Sequence, residues 1–279
     1  MIKFQHTLFA LPFALAGMVL GAGGVPAAGT AFWVVVAMVG ARSAAMAFNR
    51  IVDREIDARN PRTAGRPLPT GRLSLGFAWG FTLTAAAGFV AAAAMLNPLC
   101  LALSPIALAV ILGYSFTKRF TAASHFVLGL ALGIAPLGGW LAARGSFDAP
   151  PLLLTAAVLS WTAGFDILYA CQDIAFDRRE RLFSIPARWG AARALRLAAG
   201  LHLLTVGLLA ALAPIAGLGW IYAGGVAAIA ALLLYEHSLV SPADLRRLDV
   251  AFFRVNAWVS VIVLVAICAD LAFPFRIGP

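Results

Sequence analysis

Two short stretches of this chain hold acidic residues at a regular spacing. Asn49, Asp53 and Asp57 follow one another at intervals of four, and Asp173 and Asp177 repeat that interval. Residues four apart lie on one face of a helix, about 6 Å apart, so each stretch predicts a ladder of oxygen ligands. Such oxygens, without clustered His or Cys, favour Mg²⁺ over zinc or copper. The pattern therefore predicts a Mg²⁺ site that also binds phosphate oxygens.

The rest of the chain is strongly apolar. Of its 279 residues, 62% are hydrophobic and only 12% are charged, and the mean hydropathy is +0.91. A soluble domain carries about 25% charged residues. Most of this protein's surface must therefore face lipid. The few acidic residues that remain are concentrated, since seven of the 12 lie within 53–57 and 166–180.

Nine segments are long and apolar enough to cross a membrane as helices. They are 6–26, 29–51, 76–96, 98–116, 124–143, 151–173, 193–213, 218–237 and 250–272. No linker or extramembrane domain separates them. The sequence therefore predicts an all-α integral membrane protein with a single domain over residues 1–279.

The distribution of basic residues predicts the orientation. With the N-terminus in the cytoplasm, 17 of the 21 Lys and Arg residues fall in inside loops and two fall outside. This asymmetry follows the positive-inside rule and puts both ladders on the cytoplasmic side of a bacterial-type inner (plasma) membrane. The same loops account for the net charge of +9, so we predict lipid contact and no nucleic acid. Nothing in the sequence indicates an obligate protein partner.

Both ladders resemble motifs of the UbiA superfamily of intramembrane prenyltransferases. Members carry NxxxDxxxD on the second helix and DxxxD on the sixth, where this chain has them. The loop 60–69 and the segment 114–119 are also similar to this family. The resemblance covers essentially the whole chain. It implies nine helices around a central cavity that opens near the cytoplasmic side.

This resemblance implies that Mg²⁺ and a polyprenyl diphosphate bind between the ladders. The implied metal ligands are Asn49, Asp53, Asp57, Asp173 and Asp177. Neutralising the diphosphate would help the allylic C–O bond to ionise. Candidates for binding phosphate oxygens are Arg66, Arg72, Lys118 and Arg119. The four Asp residues would be catalytic, and Tyr114 and Tyr169 would shelter the allylic cation with their π faces. Interfacial roles at the membrane surface are the alternative for these basic and aromatic residues.

Arg42 is the residue that bears most on the acceptor. It lies seven residues before Asn49, on the same helix face but deeper, and a lone Arg inside a span needs an anionic partner. The resemblance assigns that partner as the carboxylate of an aromatic acid, and Asp166 is a rival. Segments 164–170 and 183–188 look closest to a menaquinone-type subgroup. The predicted acceptor is thus 4-hydroxybenzoate or 1,4-dihydroxy-6-naphthoate, for quinone biosynthesis.

Other roles remain open for several ionisable residues. Glu55 and Glu180 lie off the ladder faces, and we expect them to pair with Arg at the interface. We expect structural or interfacial roles for the four scattered histidines, His6, His125, His202 and His237. The alternative function is a transporter or channel with the acids as a cation path. Such a path predicts ionisable residues near the bilayer midplane, but the ladders lie at one end.

Overall fold

The computed structural model describes residues 7–248 and 255–274. Within those ranges the chain is helical and has no β-strand, so the predicted all-α class is confirmed. The helices are α1 (Thr7–Ala22), α2 (Ala28–Val52), α3 (Arg54–Arg59), α4 (Leu75–Leu96), α5 (Pro98–Thr117), α6 (Ser124–Arg144), α7 (Ala149–Ala170), α8 (Ile174–Arg179), α9 (Ile185–Trp189), α10 (Ala191–Ala216), α11 (Trp220–Ser238) and α12 (Asn256–Ala272).

Seven of the described helical segments are long and apolar enough to cross a membrane. They are α2, α4, α5, α6, α7 with its continuation, α10 and α11. Helices α1 and α12 are apolar but have only 16 and 17 residues. At 1.5 Å per residue they reach about 25 Å, against a hydrocarbon core of about 30 Å. The first residues of the predicted spans 6–26 and 250–272 lie outside the described residues, so seven of the nine predicted spans are confirmed.

Two predicted spans end earlier than expected. The span predicted to reach residue 26 ends at Ala22, because Gly23 and Gly24 have φ angles of 67° and 153° that no α-helix accommodates. The span predicted to reach residue 173 ends at Ala170, where a 3₁₀ turn over Cys171–Asp173 begins. There the Gln172 side chain donates to the carbonyl of Tyr169, which satisfies one of the last helical acceptors.

A similar break divides the first ladder. Helix α2 ends at Val52 and α3 begins at Arg54, so Asp53 stands between two helices. Its N–H still donates to the Asn49 carbonyl at 2.9 Å, and the Asp57 N–H donates to the Asp53 carbonyl at 2.7 Å. The i, i+4 relation therefore survives the break, and the three side chains stay on one side of the chain.

Close helix contacts set the walls around the site. Helix α1 packs against α6, α6 against α7, α7 against α10, and α2 against α4. A methyl group added at Gly17 would overlap the Pro136 carbonyl, and one at Gly139 would overlap the Ala14 carbonyl. Small residues at such crossings let membrane helices approach closely. This packing holds α6 and α7 in fixed positions beside the ladders.

Candidate active site

A cavity of about 680 Å³ opens between α2, α5, α6 and α7. Its polar part is formed by the ends of these helices, and its deeper walls are apolar. Ten of the twelve predicted site residues line it: Arg42, Asn49, Asp53, Asp57, Arg66, Tyr114, Lys118, Tyr169, Asp173 and Asp177. The two ladders, 120 residues apart in sequence, therefore face the same space.

Asp53 is the most enclosed of the ladder carboxylates, with 2% of the residue exposed. Its Oδ2 accepts from Lys118 Nζ at 2.6 Å and from Asn49 Nδ2 at 3.1 Å. Arg119 Nη1 lies 3.4 Å from Oδ1. Arg119 does not line the cavity, and it also donates to the Val52 carbonyl at 2.7 Å. It therefore supports Asp53 from behind, and Lys118 faces the cavity.

Asp57 is held by the loop that follows it. Arg66 Nη1 donates to both carboxylate oxygens, at 2.7 and 2.6 Å, and Arg50 Nη1 lies 3.8 Å away. The Thr63 hydroxyl donates to the Asp57 carbonyl at 3.0 Å. A buried carboxylate needs such partners, because isolated charge is costly away from water. The loop thus brings a predicted phosphate-binding Arg directly to the ladder.

Asp173 in the second ladder pairs with Arg62 from that same loop. Arg62 Nη2 and Nε donate to its two oxygens at 2.6 and 3.2 Å, and Asn60 Nδ2 lies 3.4 Å away. Burial works against the guanidinium charge, but the hydrogen bond and charge of Asp173 together raise the pKa of Arg62 above its ordinary value. Arg62 also lies over the Tyr169 ring, 5.4 Å from its centroid. One Arg therefore ties the first loop to the second ladder.

Asp177 has a different kind of partner. Its Oδ2 accepts from the Ser184 hydroxyl at 2.7 Å. Within the described residues no Lys or Arg forms an ion pair with it. Among the four ladder carboxylates, Asp177 thus retains the most capacity for an added cation.

The donor chemistry of the two ladders fits Mg²⁺. Four carboxylates and one amide line the same cavity, and all of them offer hard oxygen atoms. Within the described ranges, no three His, Cys, Asp or Glu side chains are gathered closely enough to form a complete metal site. Mg²⁺ rarely occupies an all-protein cage and usually keeps water and phosphate oxygens as ligands. Any such ion here needs ligands from a bound phosphate or from water.

Two ionisable residues lie deeper in the cavity. Arg42 and Asp166 both line it, but no ion pair joins them in the described part of the chain. Asp166 instead lies 2.7 Å from Nδ1 of His125. The Nε atom of Arg42 is buried and has no hydrogen-bond partner among the described residues. The structure therefore pairs Asp166 with His125 and does not show the rival pairing with Arg42.

Arg72 is the predicted site residue that lies apart. It is exposed and does not line the cavity. The loop turns away at Gly71, whose φ of 73° favours glycine, and Ser74 then caps the N-terminus of α4. The structure therefore does not bring Arg72 to the ladders.

Several contacts could not be foreseen from spacing. Sequence reasoning missed Asn60, Arg62, His125 and Ser184 as cavity residues. Arg62 and Asn60 lie in the segment 60–69, whose resemblance to the family could have identified them as site residues. The expectation for the two glutamates is confirmed, since Arg59 donates to Glu180 at 2.7 Å and Arg54 lies 4.0 Å from Glu55.

The histidines are less scattered than the sequence suggested. His202 and His237 come within 3.0 Å of each other between α10 and α11, although 35 residues separate them. His202 also lies 3.5 Å from the buried Glu236, and Asn256 donates to that carboxyl group at 2.7 Å. This network ties α10, α11 and α12 together away from the cavity, in keeping with a structural role. His6 lies outside the described residues.

Comparison with known proteins decides the family. Residues 10–262 match the model of the UbiA prenyltransferase family. The chain belongs to this family. It is 32% identical to the 4-hydroxybenzoate octaprenyltransferase of Aromatoleum aromaticum, over 84% of this chain and 79% of that one.

Solved structures agree with this assignment. A UbiA homolog from Aeropyrum pernix K1, in its apo form, is 38% identical, with a TM-score of 0.88 over 97% of this chain and 99% of that one. A UbiA homolog from Archaeoglobus fulgidus, bound to DMAPP and Mg²⁺, shares the fold at 21% identity, with a TM-score of 0.73 over 94% and 95% of the two chains. This UbiA-family chain is an integral membrane prenyltransferase. Family membership favours the enzyme over a transporter or channel.

Proposed function

We propose that this enzyme transfers a polyprenyl group from a polyprenyl diphosphate to an aromatic acid in a Mg²⁺-dependent reaction. One observation carries the proposal: both acidic ladders and most of their basic partners line a single cavity that continues into an apolar chamber. The relatives named for 4-hydroxybenzoate support the acceptor class, and the Mg²⁺-bound homolog supports the metal.

The donor diphosphate would bind at the mouth of the cavity. Lys118, Arg62 and Arg66 already line it, and each now neutralises a ladder carboxylate. On binding, these cations turn to phosphate oxygens, with Arg offering two parallel donors. The carboxylates that they release, together with Asn49, would hold Mg²⁺. When bound there, Mg²⁺ would supply positive charge that stabilises the departing diphosphate.

The prenyl chain would extend from the mouth into the apolar chamber. Side chains of α4, α5 and α6 line that part, among them Phe89, Leu103, Ile106, Leu132 and Leu137. Burying a chain of methylene groups there contributes affinity in proportion to its area. The charged and apolar ends of the donor thus match the two ends of the cavity.

The transfer step joins the allylic carbon to a carbon of the acceptor ring. The allylic C–O bond breaks and its electron pair leaves with the diphosphate. An electron pair of the ring forms the new C–C bond, and the proton on that ring carbon is lost, which restores aromaticity. Tyr114 lines the cavity between the ladders and Arg42, where its ring would shelter the allylic cation. The Tyr169 ring now lies against the guanidinium of Arg62. Once Arg62 turns to the diphosphate, the face of this ring would be free to shelter the allylic cation as well.

Arg42 would bind the carboxylate of the acceptor. It is a lone cation deep in the cavity, and its buried Nε has no partner among the described residues. An anionic ligand would satisfy both the charge and the hydrogen bond. Both 4-hydroxybenzoate and 1,4-dihydroxy-6-naphthoate combine a carboxylate with a ring that hydroxyl groups make electron-rich.

The remaining parts of the proposal concern topology. The nine predicted spans would form one domain over residues 1–279 in a bacterial-type inner membrane, with the N-terminus and the cavity mouth cytoplasmic. The concentration of Arg and Lys around the ladders supports this orientation. Labelling of cysteines introduced at residues 121 and 146, which lie just before and just after α6, from either side of sealed vesicles tests it. Labelling of position 146 from the cytoplasmic side would contradict it.

The activity is tested with purified protein, Mg²⁺ and a polyprenyl diphosphate. 4-Hydroxybenzoate and dihydroxynaphthoates are offered in parallel, and products are identified by mass. We expect transfer to one of them and loss of transfer in Asp53→Ala and Asp173→Ala. No product with any acceptor, or unchanged activity in both variants, would remove the proposal. Arg42→Ala should raise KM for the acid more than KM for the diphosphate.

A further inference from the structure

Asp166 lies deep in the cavity and has no role in binding the diphosphate. It stands on α7 seven residues before Asp173, which places it about 10 Å further from the mouth. Arg42 stands at a matching depth on α2, seven residues before Asn49. The side chain of Tyr114 lines the same cavity as Asp166 and Arg42. The inner cavity thus holds one anionic and one cationic group on opposing helices.

The partner of Asp166 distinguishes it from most of the ladder carboxylates. Asp53, Asp57 and Asp173 each pair with Lys or Arg. Oδ2 of Asp166 has His125 at 2.7 Å, and no Lys or Arg of the described ranges pairs with it. No described residue donates to its Oδ1, and 26% of the side chain is accessible along the cavity wall. One carboxylate oxygen is therefore available to a ligand.

His125 is held so that it can orient this carboxylate. It is buried on α6, and its Nε2 accepts from the Ile185 N–H at 3.3 Å. Because Nε2 accepts, the ring proton lies on Nδ1 and is donated to Asp166. The imidazole thus binds Oδ2 without adding a positive charge. A carboxylate in an apolar cavity still needs a donor for its second oxygen.

We propose that Asp166, positioned by His125, binds the ring hydroxyl of the acceptor, with Arg42 binding the carboxylate across the ring. This inference rests on the proposed function and specifies its substrate class: an aryl acid with a hydroxyl group on the side away from the acid. A hydrogen bond to a carboxylate raises the electron density of the phenol ring. The adjacent ring carbon then attacks the allylic carbon more readily, and the hydroxyl proton stays between the oxygen and Asp166.

A structural role for the pair makes a different prediction. If Asp166 and His125 only tie α6 to α7, their loss should weaken every acceptor to the same extent. If Asp166 binds the hydroxyl, its loss should affect only ligands that carry one. A comparison between ligands therefore separates the two roles more sharply than activity alone.

The test measures inhibition or binding constants for 4-hydroxybenzoate, benzoate and 4-methoxybenzoate. Wild-type protein should prefer the hydroxylated acid to both analogues by about tenfold or more, the range of a hydrogen bond to a charged group. Asp166→Asn should abolish this preference and leave KM for the diphosphate within about twofold. Asp148→Asn is the matched control, because it makes the same change at the exposed N-terminus of the same helix. Naphthoates with and without hydroxyl groups replace the benzoates if a naphthoate is the acceptor.

Two variants of His125 test its positioning role. His125→Leu should lose most of the preference for the hydroxyl. His125→Asn should restore part of it, because its amide N–H can stand near the position of Nδ1. Equal preferences in these two variants would contradict the positioning role.

The outcomes separate this inference from the proposed function. Equal weakening of benzoate and 4-hydroxybenzoate in Asp166→Asn would overturn the inference while transfer by the wild type continues. If Asp166→Asn does not fold, the wild-type protein still tests the inference. Equal binding of 4-methoxybenzoate and 4-hydroxybenzoate by the wild type would overturn it. If the wild-type protein neither prenylates nor binds any hydroxyaryl acid, the proposed function itself is overturned.

Discussion

The two acidic ladders share one spacing but differ in how their charge is balanced. Asp53 and Asp57 are 2% and 4% exposed, and each already binds at least one basic side chain. In the second ladder, Asp173 is paired with a half-exposed Arg62 and Asp177 with a serine hydroxyl. The first ladder is thus enclosed and neutralised, and the second is more open. Spacing specifies which atoms face the cavity, and the neighbouring loops determine their charge balance.

This difference has a source in the chain itself. The first ladder is followed by a loop, residues 60–73, that folds back and supplies Arg66 to its own ladder. The same loop also supplies Arg62 to the second ladder. The segment after the second ladder supplies Ser184 and no cation. One loop therefore serves both ladders, and the second ladder depends on it more.

The largest expected effect tests whether both ladders are needed at all. Asp53→Asn and Asp173→Asn should each lower kcat/KM for prenyl transfer at least about a hundredfold, because each removes a full charge from the metal and diphosphate site. Steady-state rates at saturating Mg²⁺ measure this, with Asp244→Asn, a half-exposed residue outside the cavity, as control. A large loss in one variant alone would mean that a single ladder binds the metal.

The dependence of the transfer rate on Mg²⁺ should distinguish the enclosed first ladder from the more open second ladder. Chelation of Mg²⁺ should stop transfer, and its return should restore it. Asp177→Asn should raise the Mg²⁺ concentration for half-maximal rate by about tenfold, because no Lys or Arg of the described residues pairs with this carboxylate and would have to be displaced. Titration of Mg²⁺ at fixed diphosphate measures the shift. An unchanged half-maximal concentration would place Asp177 outside the metal site.

The next largest effects are expected when the arginines of the loop 60–73 are replaced. Arg62→Ala should raise KM for the diphosphate by about tenfold, and Arg62→Lys should recover little of this because it lacks the two-donor geometry. The same pair of changes at Arg66 provides the comparison with the enclosed ladder. If only the Arg66 variants respond, Arg62 serves to hold Asp173 and does not reach the diphosphate.

The smallest effect is expected at Arg72. Arg72→Ala should change KM for the diphosphate by less than about twofold, since exposed charges far from a site are screened by salt. Kinetics at low ionic strength give the most sensitive measurement. A tenfold change would mean that the loop beyond Gly71 closes over the donor.

The sequence sufficed for seven of the spans and for the spacing of the ladders, because a span follows from the length of an apolar run and a ladder from short-range periodicity. Apolar runs of about 20 residues indicate helices, and intervals of four place Asp53 beside Asn49 and Asp57. Lys118 was found through its family-like segment. The helix breaks at Asp53 and after Ala170 were not foreseen, because the intervals of four between Asn49, Asp53 and Asp57 and between Asp173 and Asp177 read as continuous helix.

The partners of the ladders could not be predicted in the same way. Arg62 and Asp173 are 111 residues apart, and nothing in their spacing relates them. The interior pair of Arg42 and Asp166 looked plausible because both stand seven residues before a ladder. The structure separates them because His125 reaches Asp166 from α6, a contact that depends on how α6 packs against α7.

The loop between the ladders also sets the order in which the site is completed during synthesis. Asn60 and Arg62 leave the ribosome before α6 and α7 exist, so their bonds to Asp173 can form only after α7 has been synthesised. Until then the loop is an open, basic segment on the cytoplasmic side of the proposed topology. We expect trypsin to cut it in chains arrested before residue 173 and to spare it in the finished enzyme. Protection of this loop is therefore a marker of completed assembly in the membrane.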